Sequence, residues 1–294
     1  MSRYDPDREQ PDDTRDLRSE RTDRAPTTDA PWSPARDLLL PRTPERQPVD
    51  IRTTRLHLRQ SETELLATIG AFRIVPEHEL GSTSPNLAAD LRSLSDQGLI
   101  DSRTILINNT PERVFVLTRT AETLLETHGD PARANGDPRQ EYYAGIVKPR
   151  ELAHDAQLYR LFQTERERLE REGAHVTRAV LDYELKRDYH AFVHQQQQDG
   201  VDATDARQAF ASAHDLPFVR GHIELPDVRI EYEDVDGRQM HRDLELATEH
   251  YSRSQLAGKH TAGFHVYRAA GPHGAGASKP GGTPTDPHHL DWLR

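Results

Sequence analysis

The sequence predicts a chain of mixed helices and strands (α+β or α/β) with two folded domains and disordered ends. Three observations predict it. Between residues 51 and 130, apolar side chains recur at helical spacing three times and then give way to two strand-like runs joined by turn residues. Beyond Pro149 the order of patterns is helix, strand, strand, strand, helix, strand. Only 34% of the 294 residues are hydrophobic, and the polar excess collects at the two ends.

Residues 1–50 are rich in Asp, Arg, Pro and Thr and are expected to be disordered, with Trp32 and Leu38-Leu39-Leu40 as a short apolar motif. The first folded unit follows, over 51–130. Ser61 stands three residues before Glu64, the spacing of a capping box, ahead of Leu65, Leu66, Ile69 and Phe72. A short second helix carries Leu80. Ser84 and Pro85 open a third, with Leu87, Leu91 and Leu94 on its apolar stripe and Gly98 at its end. Thr104–Ile107 and Val114–Leu117 read as a hairpin across 108–112, and a last helix begins at Thr118 or Thr120. Three helices, a hairpin and a closing helix are the order of a winged helix-turn-helix.

A linker is expected over 131–147, and a second domain over 148–270. Its first helix carries Leu152, Ala156, Leu158, Tyr159, Leu161 and Phe162, with His154 and Asp155 near its start. A strand is read from His175 to Leu185, followed by helical segments and a glutamine run at 195–198. Pro226-Asp227 then opens a hairpin that turns at Asp236-Gly237 and returns through Asp243-Leu244-Glu245. A helix from Arg253 to Phe264 carries Lys259, and a final strand ends the domain. The glycine-rich tail, 271–294, is expected to be flexible.

Several functions are excluded or disfavoured. There is no cysteine, hence no disulfide, thiolate metal site or cysteine nucleophile. No apolar run reaches eighteen residues, and Met1–Ala30 has no apolar stretch, so no membrane span or secretory signal is read and a cytoplasmic protein is expected. No phosphate-binding glycine loop, zinc-ligand spacing or serine-histidine-aspartate elbow occurs. The net charge of −11 runs against nucleic-acid binding, which draws on clustered positive charge.

The acidic hairpin carries the candidate chemistry. Residues i and i+2 of a strand share a face, so Asp243 and Glu245 project together while Leu244 and Leu246 turn to the core. Pairing around Asp236-Gly237 brings Asp227 toward both. Three convergent carboxylates suit a hard cation such as Mg²⁺ or Mn²⁺. Lys259, one of only four lysines against 34 arginines, is placed to orient water or stabilise phosphate charge.

On Pro226-Asp227, Asp243-Leu244-Glu245-Leu246-Ala247-Thr248-Glu249, Lys259 and Tyr267, the chain resembles the plasmid replication-relaxation proteins. The words Leu91-x-x-Leu94, Gly98-Leu99-Ile100 and Leu117-Thr118 extend the resemblance to a winged-helix N-terminal domain, and a histidine near position 154 belongs to it as well. It covers about residues 53–268. It implies a C-terminal core similar to the PD-(D/E)xK restriction-endonuclease-like fold, with αβββαβ order. Asp243 stands for the family's glutamate, Glu245 for its aspartate and Ala247 for its glycine. In the parent nucleases a lysine follows the second acid by two, where this chain has Glu245, so Lys259 would be a migrated lysine. The resemblance implies a DNA-associated accessory protein of a plasmid or other mobile element, with replication or mobilisation proteins as further partners. Asp227 and Asp243 would hold the metal, with Glu245 as a further ligand or general base and with Lys259 and Gln255 assisting phosphodiester hydrolysis.

In the first domain Asn86, Arg92, Arg103 and Arg113 are the expected contacts to double-stranded DNA: Asn86 and Arg92 from the third helix, Arg103 and Arg113 beside the wing. The domain still holds eight arginines against eleven carboxylates. The alternative is a non-catalytic regulator or scaffold, its winged helix a protein-interaction module and its nuclease-like domain inactive.

Overall fold

A computed structural model of the protein describes residues 32–131, 139–146, 151–219, 221–247, 251 and 258–268. Gly98 and Arg73 show how the N-terminal elements are delimited. Gly98 takes φ 68° after helix α2 (Leu87–Asp96), the left-handed turn that glycine adopts without strain. Helix α1 (Gln60–Phe72) ends at Arg73, which adopts φ 64° although it carries a side chain. The start of α1 differs from expectation. The Arg59 N–H donates to the Glu62 carboxylate at 3.1 Å, while Ser61 donates to Asp90 at 2.6 Å and Ser33 donates to Glu64. Side chains that read as a local cap are drawn into long-range contacts.

Before α1, strands β1 (Gln47–Ile51) and β2 (Thr54–Leu58) pair antiparallel. After it come β3 (Val75–Pro76), a 3-10 turn (Glu77–Leu80), α2, β4 (Ile100–Ile107), β5 (Thr110–Leu117) and α3 (Arg119–Thr127). The β4–β5 turn is tighter than the sequence suggests. Asn108 and Asn109, at φ 51° and 63°, make the whole two-residue turn, because Thr110, Pro111 and Glu112 already pair with Ile107, Leu106 and Ile105. Thr118 caps α3, its hydroxyl accepting from the Ala121 N–H at 3.3 Å.

The second region contains α4 (Leu152–Arg171), β6 (His175–Leu181), α5 (Asp182–Gln198), α6 (Ala203–Ala213), the short pair β7 (Phe218–Val219) and β8 (His222–Ile223), β9 (Val228–Glu233), β10 (Gln239–Ala247), a helical turn at 258–261, and β11 (His265–Arg268). Four strands form one mixed sheet in the order β11-β10-β9-β6, with β9 antiparallel to both neighbours and β11 parallel to β10. The strand expected to reach Leu185 stops at Leu181. Asp182 and Glu184 therefore lie on a helix and do not alternate along a strand. β6 is a sheet edge, and Gln140 blunts it by bonding both the N–H and the C=O of Ala179, at 3.0 and 2.9 Å.

Two expectations of unfolded sequence are corrected. Residues 32–50 are ordered: Trp32 packs its ring 4.7 Å from Phe162 and 6.5 Å from Phe72, and Leu38 and Leu40 are buried. In the expected linker, residues 139–146 are described and packed, with Tyr142 buried and donating to the Pro34 carbonyl at 2.6 Å. Both segments are too sparse in apolar residues to show periodicity, and they order by covering aromatic and aliphatic surface supplied by α1 and α4. One apolar cluster accordingly runs from Trp32 through Phe72 and Phe162 to Leu246. Residues 1–31 and 269–294, where further disorder is expected, lie outside the described residues. No helix among the described residues is long and apolar enough to cross a membrane.

Candidate functional site

Strand register assembles the site. Val228 pairs with Leu244 on one side and Leu181 on the other. One residue further, Asp182, Asp227 and Glu245 stand in line across the strand ends, at the sheet edge that runs transverse to the strands. Backbone bonds tie this row: the Asp182 N–H donates to the Asp227 carbonyl at 3.2 Å, and the Asp227 N–H to the Leu244 carbonyl at 3.0 Å. The Asp227 carboxylate accepts from the Leu246 N–H at 2.7 Å, which aims it at the end of β10.

Each acid has its own cationic or hydroxyl neighbour. His154 Nε2 lies 3.3 Å from Asp227 Oδ2, and its Nδ1 lies 3.5 Å from Asp155 Oδ1. Glu245 accepts from the Tyr251 hydroxyl at 2.6 Å and stands 3.3 Å from Lys259 Nζ. Lys259 also faces Glu224 at 3.2 Å and donates to the Leu225 carbonyl at 3.2 Å. Asp182 is paired with Lys186, one turn along α5.

The electrostatics follow from burial and crowding. Burial opposes protonation of His154, but the carboxylates of Asp155 and Asp227 outweigh it and lift the imidazole to about 10. Burial raises the Glu245 carboxyl, and the Asp227 charge adds to it, against the pull of Tyr251 and Lys259. Burial likewise raises Asp182, with Lys186 opposing and Asp227 and Asp155 adding to the rise. The edge thus holds acids whose protons are shifted upward beside a histidine that keeps its charge.

Asp243 is the correction to the sequence reading. It shares a face with Glu245 but sits two rows away, directly opposite Arg229. Arg229 donates from Nε and Nη2 to both Asp243 oxygens, at 2.7 and 2.9 Å, and from Nη1 to the His214 carbonyl at 2.6 Å. Both residues are buried. A carboxylate engaged at both oxygens by a guanidinium is a closed pair. Among the described residues, no group of three or more His, Asp or Glu side chains is arranged to hold a metal ion. Asp227 and Glu245 remain as the oxygen donors of the expected trio.

Lys259 is brought to Glu245, as the migrated lysine requires, and residues 258–261 around it are helical. Gln255 lies outside the described residues. The Tyr267 hydroxyl donates to Glu165 of α4, away from the Lys259 contacts. In the N-terminal region Asn86, Arg92, Arg103 and Arg113 are all exposed. Asn86 precedes the first residue of α2, and Arg92 lies within it. Arg103 and Arg113 are on the neighbouring strands β4 and β5. Arg113 is drawn toward Glu77 at 3.6 Å, with its guanidinium 4.9 Å from the Phe115 ring centre.

Sequence reasoning left His154 open and did not reach Asp182 as a site residue or Tyr251 and Glu224 at all. A local signal existed only for Asp182, an acid directly after a strand at the edge where Asp227 begins the next. No protein-family model, no curated protein and no solved structure matches this chain.

Proposed function

We propose that this protein is a DNA-associated accessory factor of a plasmid or other mobile element, with a winged helix over about 60–127 and a nuclease-like domain built on α4 and the four-stranded sheet. The observation that carries the reading is the meeting of Asp227, Glu245 and Lys259 at one sheet edge. They come from the start of β9, the end of β10 and a following helical turn. Supporting it are the order α4, β6, β9, β10, helical turn, β11, with α5, α6 and the β7–β8 pair inserted between β6 and β9, and in the N-terminal region the order of three helices, hairpin and helix.

In this reading Asp227 and Glu245 would hold Mg²⁺ or Mn²⁺, which supplies Lewis acidity toward a phosphodiester and lowers the pKa of a bound water. The remaining steps fall to the side chains. Lys259 sets an ammonium beside Glu245, where charge develops on a phosphate oxygen. Where Glu245 is not a further ligand, its carboxylate would be the base that accepts a proton from water. His154, kept charged, holds the Asp227 carboxylate in orientation. Asn86, Arg92, Arg103 and Arg113 would contact the duplex.

A second reading has its own observation. Arg229 closes Asp243, leaving two carboxylates, one of them already beside a lysine. That arrangement favours a non-catalytic regulator whose nuclease-like domain is a platform for replication or mobilisation proteins. Nicking of supercoiled plasmid with Mg²⁺ or Mn²⁺ separates the two. The first reading expects nicking that falls about 10²-fold or more in Asp227→Ala and in Lys259→Ala, with the fold retained. Wild-type protein that neither nicks nor binds the cation in calorimetry leaves the regulator.

A further inference from the structure

We propose that Arg73 is a positioning residue for the Asp227–His154 pair, linking the end of α1 to the sheet edge. The proposal rests on the reading of that edge as a functional site. The contacts form one line. Arg73 Nη1 lies 3.1 Å from Asp155 Oδ2, and the other oxygen of Asp155 faces His154 Nδ1 at 3.5 Å. The opposite nitrogen of the same ring, Nε2, lies 3.3 Å from Asp227 Oδ2. Tyr183 fixes the guanidinium from above, its ring centre 3.7 Å from the Arg73 Cζ, while the Tyr183 hydroxyl donates to Glu151 at 2.8 Å.

Two features mark this as more than an ordinary ion pair. Arg73 and Asp155 are both about 95% buried, at 5% and 6% exposure, so neither gains from water and each depends on the other for orientation. Arg73 also holds a backbone conformation, φ 64° and ψ −45°, that glycine accepts far more readily than any residue with a Cβ. An arginine kept in a strained conformation, with its side chain aimed through a buried carboxylate at the site, is strain retained for what the side chain does. A carboxylate with one oxygen held by a guanidinium presents the other in a defined direction. Here that direction is the imidazole that steadies Asp227. The Asp227 carboxylate is thereby tied to a residue of the region expected to meet DNA.

Arg73→Gly in the full chain tests this, because glycine relaxes the backbone while deleting the side chain. The readout is the His154 ring signal at pH 7 by heteronuclear NMR, assigned with His154→Gln, alongside the thermal midpoint. Arg73→Gly is expected to fold and to move the His154 signal toward its position in Asp155→Asn, with Arg73→Lys intermediate. Arg46→Met, which removes an ion pair to Glu62 elsewhere on α1, is expected to leave the signal in place. A folded Arg73→Gly with an unmoved His154 signal overturns the proposal. Should Arg73→Gly not fold, Arg73→Lys is read by the same signal, and no movement there overturns it too. Where wild type nicks plasmid, Arg73→Gly is expected to lose at least tenfold in rate with DNA affinity unchanged. If the signal moves but wild type does not nick, the positioning role stands and the nuclease reading fails.

Discussion

Asp90 in the N-terminal region and Glu245 at the sheet edge are almost equally buried, at 0% and 2% exposure, yet their protons are pushed in opposite directions. Burial raises both. At Asp90 it is overcome by Ser61 and Ser84, each donating at 2.6 Å, and by Arg59 Nε at 2.9 Å, so the carboxyl falls below its usual range. At Glu245 the Asp227 charge joins burial, and Tyr251 and Lys259 together do not offset them. Asp90 is therefore held toward its anionic form and ties α1 to α2. Glu245 is an acid whose charge is contested. Asp243, two residues from Glu245, has both oxygens engaged by Arg229. Burial alone does not set the direction in which a carboxylate's proton is shifted. The balance of donors against neighbouring charge does.

The largest expected effect is in Asp90→Ala, which strands a partly buried guanidinium and two hydroxyls and should cost about 4 kcal/mol in urea unfolding. A cost under about 1 kcal/mol would break the comparison at its structural end. Next is Arg229→Met, expected to cost about 3 kcal/mol by leaving buried Asp243 without its guanidinium partner, with Asp243→Leu added to it recovering most of the loss. No recovery in the double variant would mean that Arg229 acts mainly through the His214 carbonyl. The smallest effect, under about 1 kcal/mol, is expected for Glu245→Gln, and there the sign against pH is the test. A raised carboxyl contributes stability that is complete below its unfolded value and is lost as pH rises through the folded value. The advantage of Glu245→Gln over wild type should thus grow from pH 4 to pH 8. Asp90→Asn should show the reverse, because a depressed carboxyl contributes above its unfolded value and loses that contribution as pH falls. Parallel slopes for the two variants would erase the distinction.

Much of the framework was legible because its signals are local. The stripe Leu87, Leu91 and Leu94, Gly98 after it, and Asp236-Gly237 between alternating runs each specify an element or its end through nearby backbone geometry. The pairing of β9 with β10 followed from that turn, and with it the approach of Asp227 to Glu245. Arg229 was not legible as the partner of Asp243, because an arginine alternating with Val228 and Ile230 reads as the solvent-facing position of a strand until the α6 end supplies the carbonyls it binds. Residues 32–50 read as unfolded because Trp32 has no periodic company, and its partners, Phe72 and Phe162, are far away in sequence.

The sequence by itself determined the helix and hairpin order between Gln60 and Thr127, the closeness of Asp227 and Glu245, and the availability of one lysine to join them. Those properties depend on turn residues, side-chain period and register, all short-range. Only the tertiary structure decided which acids are neutralised. Arg229 reaches Asp243 across β9 and β10, Arg59 reaches Asp90 from before α1, and Arg73 reaches Asp155 across 82 positions of chain. The charge state of a buried carboxylate is set by whichever donors the packed chain delivers within about 3 Å, and sequence separation carries no information about that.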